Sequence, residues 1–443
     1  MEKNDKKLNS NGKAICYLIC GSLFVSLLFP CVGYTQSTGI PAGKIFEQIK
    51  PSLLQIRVKL NTSGSITAYG SGFFVSSAGL VATNYHVVSS IVMEPETYSL
   101  EYLKSDGTTA PLQIMAIDVR NDLAILQLKH DKTPFLLLQK TKLHKGDRCY
   151  SLGNPLDIGM SIVEGTYNGS IATQYNELFH FTGAINPGMS GGPVVTENGV
   201  AFGVNKAIRL DGQMVGYVVP AYYVSALLEK VDKSQPKRDT ELLANVNEQL
   251  LAYQDEITKR LIATPFSTIT IGRGYRVPDK LENFFDCGGY KLDTTERYFT
   301  VNSAFCKTNS PLSVSEELNS GYITFTQDLV QSDRMREMNF ASAYSRLFEK
   351  FGSISDSGSP TDKNVGRYAC KEDMVTSGNM KMQVVLCERQ YKKLDDLYDI
   401  QIKIATLNEP KAGLLSTAIF HGFSHENGIG LARRYLESLT WKP

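Results

Sequence analysis

The chain is nearly neutral and lacks the basic, aromatic-rich runs of proteins that bind nucleic acids. Its 443 residues include 46 lysines and arginines against 45 aspartates and glutamates, which leaves a formal net charge of +1. A nucleic-acid surface needs clustered Lys and Arg to neutralise phosphates, with aromatic side chains between them to stack on bases. The sequence therefore predicts no nucleic-acid partner.

Histidine is also scarce, and the few histidines do not form a metal-binding motif. Among the six histidines, His421 and His425 have the i, i+4 spacing of two ligands on one helix. Gly422, however, stands where zinc peptidases carry their catalytic glutamate, and a glycine weakens a helix. We therefore expect neither a metal ion nor another cofactor.

The first 35 residues have the composition of an export signal. Four lysines among the first 13 residues precede an uncharged stretch over 14–29, which ends at Pro30 and is followed by small residues. This pattern predicts a signal peptide over 1–35 and hence an exported protein, periplasmic or secreted. Because the apolar run is slightly long for a signal, an uncleaved membrane anchor, with the rest of the chain outside, stays open as the alternative.

Only eight cysteines occur, and their distribution agrees with export. Three lie within the signal segment, and Cys149 stands alone in the middle of the chain, where no neighbouring base would activate a thiol. The other four form two close pairs, Cys287 with Cys306 and Cys370 with Cys387. In an oxidising compartment we predict these two disulfides, each stabilising by about 3 kcal/mol, although the other two pairings stay open.

The segment over 185–195 holds a serine in a turn rich in glycine. Ser190 is surrounded by glycines at 188, 191 and 192, and an apolar strand follows. Glycine permits dihedrals closed to other residues, so the N–H groups of Gly188 and Ser190 can converge on one point. A serine hydroxyl becomes a good nucleophile only with an adjacent base and with donors for the oxyanion that its attack creates. By itself the turn could also be a surface loop, so its meaning depends on partner residues.

Two residues upstream supply the groups that such a serine requires. His86 closes an apolar, strand-like run over 80–88, and Asp122 directly precedes the apolar run over 123–126. A histidine can act as general base, and a carboxylate can orient it through a ring N–H. Each residue alone would more often be structural, a satisfied core histidine or a turn aspartate. The order His86, Asp122, Ser190 favours a catalytic set, in which Asp118 competes with Asp122 but lacks an apolar strand directly after it.

Five motifs in this order resemble trypsin-like serine proteases, and specifically their HtrA/Deg branch. They lie at 70–73 (Gly-Ser-Gly-Phe), 83–88 (Thr-Asn-Tyr-His-Val-Val), 122–126 (Asp-Leu-Ala-Ile-Leu), 153–155 (Gly-Asn-Pro) and 185–193, within a protease region over 45–232. The resemblance implies an endopeptidase that acts on polypeptide substrates through an acyl-enzyme and needs no cofactor. It implies His86, Asp122 and Ser190 as the catalytic triad, and Gly188 with Ser190 as the donors of the oxyanion hole.

The fold that the resemblance implies is mainly β, a chymotrypsin-like pair of barrels, each of six antiparallel strands, with the site between them. Strand-like runs at 66–69, 80–88, 112–117, 123–128, 149–152, 193–196 and 200–205 agree with it. In this family the residue six before the nucleophile forms the floor of the specificity pocket. That residue is Ala184, so we expect cleavage after small or medium apolar residues rather than after Lys or Arg. Met189 lacks the carboxylate through which digestive relatives are activated by N-terminal cleavage.

Beyond the protease region the pattern changes. A charged linker and an amphipathic helix are predicted over 233–262, with apolar residues three and four apart from Leu242 to Leu261. We expect this helix to pack on the adjoining domain, with a coiled coil as the alternative. Residues 263–443 mix strand and helix patterns, with helices over 329–351 and 429–439, and predict an α+β domain of unknown role. The PDZ domain usual in the HtrA branch is not recognisable there.

The sequence thus predicts an exported serine endopeptidase that acts on envelope or misfolded proteins. The alternative is a protein that chiefly binds unfolded chains or an envelope partner, with catalysis gated or weak. The two hypotheses differ in whether Ser190 reacts as a nucleophile. The oligomeric state is not predicted.

Overall fold

The computed structural model describes residues 40–128, 132–140, 143–172, 175–208, 215–231, 238–293, 298–350 and 362–442. The predicted signal segment over 1–35 lies outside these residues. Within them, no helix is both long enough and apolar enough to cross a membrane.

Residues 40–128 form an antiparallel sheet with two short helices. The elements in chain order are α1 (Ala42–Ile49), β1 (Leu53–Leu60), β2 (Ile66–Phe74), β3 (Leu80–Thr83), α2 (Tyr85–Met93), β4 (Tyr98–Leu103), β5 (Thr109–Pro111), β6 (Gln113–Asp118) and β7 (Leu123–Gln127). The strands pair in the order β5-β4-β1-β2-β3-β7-β6. Alternate residues of β1, namely Leu54, Ile56 and Val58, are fully buried, so one face of the strand covers the core.

Residues 143–231 form a closed barrel of six strands followed by a helix. The elements are β8 (Arg148–Gly153), β9 (Ser161–Ser170), β10 (Phe179–Thr182), β11 (Pro193–Thr196), β12 (Ala201–Ile208), β13 (Gly216–Pro220) and α3 (Ala221–Glu229). The order around the barrel is β10-β13-β12-β11-β8-β9. Strands β1 and β2 of the first sheet pack against β8 of the barrel.

The mainly β, two-part protease fold expected from the sequence is confirmed, with one difference in the first part. The second part is the expected closed barrel of six strands, whereas the first is an open sheet of seven. Its edge strands, β6 and the three-residue β5, do not pair with each other in the part of the chain that is described.

A long helix and a second large sheet complete the fold. The elements are α4 (Asp239–Ile262), β14 (Thr268–Thr270), β15 (Tyr275–Pro278), β16 (Phe285–Asp293), β17 (Thr300–Thr308), β18 (Leu312–Ser313), β19 (Asn319–Ser320), β20 (Tyr322–Gln331), α5 (Glu337–Lys350), β21 (Ala369–Ser377), β22 (Met380–Gln390), β23 (Tyr398–Thr406), β24 (Ala412–Phe423), α6 (His425–Ser438) and β25 (Thr440–Trp441). Seven strands pair in the order β16-β17-β20-β24-β23-β22-β21, all antiparallel.

Two helix boundaries in this region differ from the sequence prediction. The helix expected over 329–351 begins only at Glu337, because Leu329 and Val330 are buried in β20 as part of its alternating pattern. The helix expected over 429–439 begins earlier, at His425. There Ser424 is the N-cap, and its hydroxyl accepts a hydrogen bond from Asn427 N.

Helix α4 lies in the core that joins the protease region to the C-terminal region. Its apolar stripe is buried along its whole length and comprises Leu242, Val246, Leu250, Tyr253, Ile257 and Leu261. The helix packs against α2 and β6 on one side and against β24 and α6 on the other. One apolar cluster therefore runs from β1 through α4 to α6.

The structure pairs the four C-terminal cysteines as the sequence spacing suggested. Cys287 is bonded to Cys306 across β16 and β17, and Cys370 is bonded to Cys387 across β21 and β22. Cys149 is buried, and burial together with the charge of Asp147 raises the pKa of its thiol to about 12. Such a thiol is inert at neutral pH.

Leu250→Ala tests the continuity of this core. Removing a fully buried leucine should lower the free energy of unfolding by about 2–5 kcal/mol, because the lost apolar contacts leave a cavity. Urea denaturation followed by circular dichroism measures the change. Glu248→Ala, at an exposed position of the same helix, is the matched control and should change stability by less than about 0.5 kcal/mol. Equal stabilities of the two variants would contradict the placement of α4.

Candidate active site

His86 lies in the first turn of helix α2. The sequence predicted a strand over 80–88, and this is wrong after Thr83: the strand ends there and α2 begins at Tyr85. The β-branched pair Val87-Val88 suggested a strand, but Tyr85, Val88 and Val92 are buried at helical spacing and form the core-facing side of α2.

Asp122 stands between β6 and β7 with its carboxylate turned towards His86. Its backbone is left-handed, with φ +57°, and its side chain is almost fully buried. The imidazole Nδ1 of His86 lies 2.8 Å from Oδ2, and the backbone N of His86 donates to Oδ1 at 2.9 Å. The backbone carbonyl of Asp122 accepts from the side-chain amide of Asn84 at 2.8 Å. The competing Asp118 instead accepts hydrogen bonds from Asn121.

The ammonium group of a lysine also lies beside this carboxylate. Lys206, in β12, places Nζ 3.9 Å from Asp122 Oδ2. Burial raises the pKa of the Asp122 carboxyl, but His86 and Lys206 outweigh burial, and the pKa lies below its usual value. Asp122 is therefore a carboxylate at neutral pH.

The turn before Ser190 has a backbone conformation that sets the direction of the Gly188 N–H. Met189 N donates to Asn186 O at 3.0 Å, with Pro187 second and Gly188 third, at φ +92°. This is the pattern of a type II turn, in which the third position needs positive φ. Pro187 O accepts from Leu156 N at 2.9 Å. In a trans peptide the N–H points opposite to the C=O, so Gly188 N–H points away from Leu156.

The hydrogen-bond partners of Ser190 and Gly188 describe the state of the turn. Within the described residues no acceptor is recorded for the backbone N of Gly188 or of Ser190. The Ser190 hydroxyl donates to the Lys206 carbonyl at 3.0 Å rather than to His86. Met189 is fully buried in the apolar core of the six-stranded barrel, so its side chain anchors the turn to that core.

These residues meet in one cleft of about 580 Å³. It is lined from the first sheet by Ala68, Tyr69, His86, Val87, Ser89, Ser90 and Asp122, from the barrel by Ile185, Asn186, Pro187, Gly188, Ser190 and Lys206, and from the C-terminal region by Ser313 and Glu316. The three predicted catalytic residues are thus brought together.

Ala184 is not among the described residues that line this cleft. Ala184 is exposed, whereas the next residue, Ile185, is buried and lines the cleft. The role of Ala184 as pocket floor stays a prediction.

The sequence reasoning also missed Lys206, Ser313 and Glu316. Lys206 directly follows the strand-like run over 200–205, and only that position could have drawn attention to it. Ser313 and Glu316 reach the cleft through tertiary packing and carry no local signal. His421 and His425 lie in different elements and contact different carboxylates, those of Asp399 and Glu388.

The arrangement of a buried carboxylate, a histidine and a serine between two β units defines a class. Residues 70–204 match the family of the trypsin-like peptidase domain, so this part of the chain is a trypsin-like peptidase domain. Within that class it is similar to proteases of the HtrA/DegP type. The HhoB serine protease of Synechocystis sp. is 31% identical over 160 residues, which are 34% of this chain and 37% of that protein. The DegP-like periplasmic serine endoprotease of Bartonella henselae is 34% identical over 177 residues, 37% of this chain and 34% of that one.

The chain therefore spans only about a third of the length of these curated relatives. Among solved structures it is similar to the serine endoprotease from Yersinia pestis, with 22% identity and a TM-score of 0.38 over 44% of this chain and 67% of the other. It is also similar to the Rv3671c protease from M. tuberculosis, with 22% identity and a TM-score of 0.40 over 46% and 92%.

Gly188→Ala tests the turn. A Cβ at this position would lie 2.4 Å from the Asn154 carbonyl oxygen, and φ +92° is strained for alanine. We expect the turn to shift and the labelling of Ser190 by a fluorophosphonate to slow by about 100-fold or more, which is the effect of losing one oxyanion donor. Gly43→Ala in α1 is the control, because an added methyl meets nothing within 4 Å there. Labelling of Gly188→Ala at the wild-type rate would show that this turn does not form the donor site.

Proposed function

We propose that the chain is an exported serine endopeptidase with Ser190 as nucleophile, His86 as general base and Asp122 as the carboxylate that orients the base. The observation that carries the proposal is the 2.8 Å contact between His86 Nδ1 and Asp122 Oδ2 in a cleft that also holds Ser190. Because Nδ1 donates to the carboxylate, Nε2 is the nitrogen that is free to take a proton.

In the proposed mechanism His86 takes the hydroxyl proton of Ser190 as its oxygen attacks the peptide carbonyl. The oxyanion that forms accepts hydrogen bonds from the backbone N–H groups of Gly188 and Ser190. Asp122 stabilises the imidazolium, which then gives its proton to the leaving amine, and water releases the acyl-enzyme. The chain's own residues supply every group that these steps need.

The acyl side of the cleft favours an apolar residue. Ile185 lines it, and the Lys206 ammonium faces Asp122. Because no carboxylate is present on this side among the described lining residues, we propose cleavage after small or medium apolar residues rather than after Lys or Arg.

The proposed location is outside the cytoplasm, in the periplasm or secreted. The support is the lysine-rich start and apolar stretch of the first 35 residues, together with the periplasmic naming of the DegP-like relatives. Two disulfide pairs agree with an oxidising compartment. We propose envelope or misfolded proteins as substrates.

One observation favours the second candidate, a binding protein whose catalysis is gated. The Ser190 hydroxyl donates to the Lys206 carbonyl, so the serine rests away from its base. Catalytic hydrogen bonds are often loose in the absence of substrate and tighten only when it binds. We therefore favour the protease.

Reaction with a fluorophosphonate tests the proposal. Wild-type protein should be labelled at Ser190 and Ser190→Ala should not, while Asp122→Asn should slow casein hydrolysis by about 10⁴-fold because the histidine loses its orienting carboxylate. Asp118→Asn is the matched control, since Asp118 contacts Asn121 and not His86. Intact-mass spectrometry measures the label. A wild-type protein that stays unlabelled under all conditions would favour the gated binding protein.

Lys206→Met tests the electrostatics of the triad. Lys206 helps to hold the pKa of Asp122 below its usual value, so its removal should raise that pKa, and the carboxylate that the mechanism needs should be lost at a higher pH on acidification. The acid limb of the kcat/KM profile should move up by as much as about one pH unit. The carbonyl that accepts the Ser190 hydroxyl is kept. Lys206→Arg retains the charge and should leave the limb near its wild-type pH. A limb that is unchanged in Lys206→Met would contradict the coupling.

A further inference from the structure

A hairpin of the C-terminal region reaches the proposed active site. Strands β18 and β19 pair through Leu312 with Ser320 and Ser313 with Asn319. We call residues 312–320 the cleft hairpin. Its members Ser313 and Glu316 line the same cleft as His86 and Ser190, although more than 120 residues separate them from the serine in sequence.

The cleft hairpin is held firmly. Leu312, Val314 and Leu318 are buried in the main apolar cluster, and Val314 N donates to Leu318 O at 2.8 Å. The phenol of Tyr85, itself fully buried, donates to the Val314 carbonyl at 3.1 Å. Because Tyr85 directly precedes His86, this bond fixes the hairpin relative to the catalytic base.

The C-terminal region also contacts the C-terminal end of helix α2. Lys393 Nζ donates to the Met93 carbonyl at 2.9 Å, and Lys363 pairs with Glu94 at 2.6 Å. Cations at a helix C-terminus are favourable because they meet its exposed carbonyls. The helix that carries His86 is thus bound by the C-terminal region at both ends, and the hairpin is an integral wall of the site.

The position of the cleft hairpin places it beside the leaving half of a bound substrate, which is the part on the C-terminal side of the scissile bond. The leaving amine takes its proton from His86, so the leaving half of the chain must pass this residue. Ser89 and Ser90 line the cleft about one helical turn, or roughly 5 Å, beyond His86 along α2. The hairpin packs on this helix, whereas Ile185 and Gly188 lie on the acyl side.

Glu316 supplies an uncommitted negative charge to this wall. It is exposed, and no ion pair is recorded for it in the described part of the chain. The other two charged groups of the cleft are engaged with each other, since Lys206 faces Asp122. The neighbouring Glu317 acts on Lys363 instead.

We propose that Glu316 is a specificity-determining residue that favours Lys or Arg among the first residues of the leaving half of the substrate. The proposal rests on the proposed protease function and extends it from the acyl side to the leaving side. An exposed carboxylate that meets a mobile cation gives a modest, salt-sensitive preference rather than an absolute one.

The test is a digest of a proteome-derived peptide mixture by the full chain, with cut sites identified by mass spectrometry. Wild-type protein should favour Lys or Arg over Asp or Glu by about three- to fivefold at one of the first three leaving-side positions, and less at high salt. Glu316→Gln should remove the preference and Glu316→Lys should reverse it. Glu317→Gln, one residue away and not in the cleft, should keep it. Melting curves confirm that each variant is folded.

Three outcomes would overturn the proposal. They are an equal preference in wild-type and Glu316→Gln, loss of the preference in Glu317→Gln alone, and a charge preference confined to the acyl side. Fluorophosphonate labelling of wild-type Ser190 separates this failure from failure of the proposed function, because the probe has no peptide leaving group. Labelling together with cutting, but without the Glu316 effect, refutes the specificity role only. Absence of both labelling and cutting refutes the protease function.

Discussion

The contact between the buried Asp122 carboxylate and His86 is the interaction on which the rest of the site depends. An unpaired carboxylate in the core would be costly, and here the backbone and ring N–H groups of His86, with the nearby Lys206, offset that cost. The contact requires a left-handed residue directly before β7 and a helix that starts directly after β3. Because one residue donates through both its backbone and its ring, the start of α2 and the orientation of the base are fixed together.

The C-terminal region packs against the protease region and contacts the helix that carries His86. Helix α4, which the sequence predicted as an amphipathic helix packed on the adjoining domain, is buried between the two parts, and the apolar core continues through it. Tyr85 is bonded to the cleft hairpin, and Lys363 and Lys393 bind the other end of α2. A change in the C-terminal region would therefore displace the helix that carries the base, which gives this region a physical route to influence the site.

The residues of the proposed triad could be singled out from the sequence because each lies in a short motif whose local structure is dictated by glycine, proline or an apolar strand. The β-branched residues after His86 misled the prediction, since they fit a helix face as well as a strand once the core is formed. Lys206 and Glu316 reach the cleft of the proposed triad only through the packing of distant segments, which no local sequence pattern encodes.

The most direct measurement of the central claim is a crystal structure of the full chain after reaction with a peptidyl phosphonate. The account predicts phosphorus bonded to the Ser190 oxygen and a phosphonyl oxygen about 2.7–3.1 Å from the amides of Gly188 and Ser190. His86 should keep its contact with Asp122. An adduct at another residue, or a phosphonyl oxygen out of reach of both amides, would contradict the account.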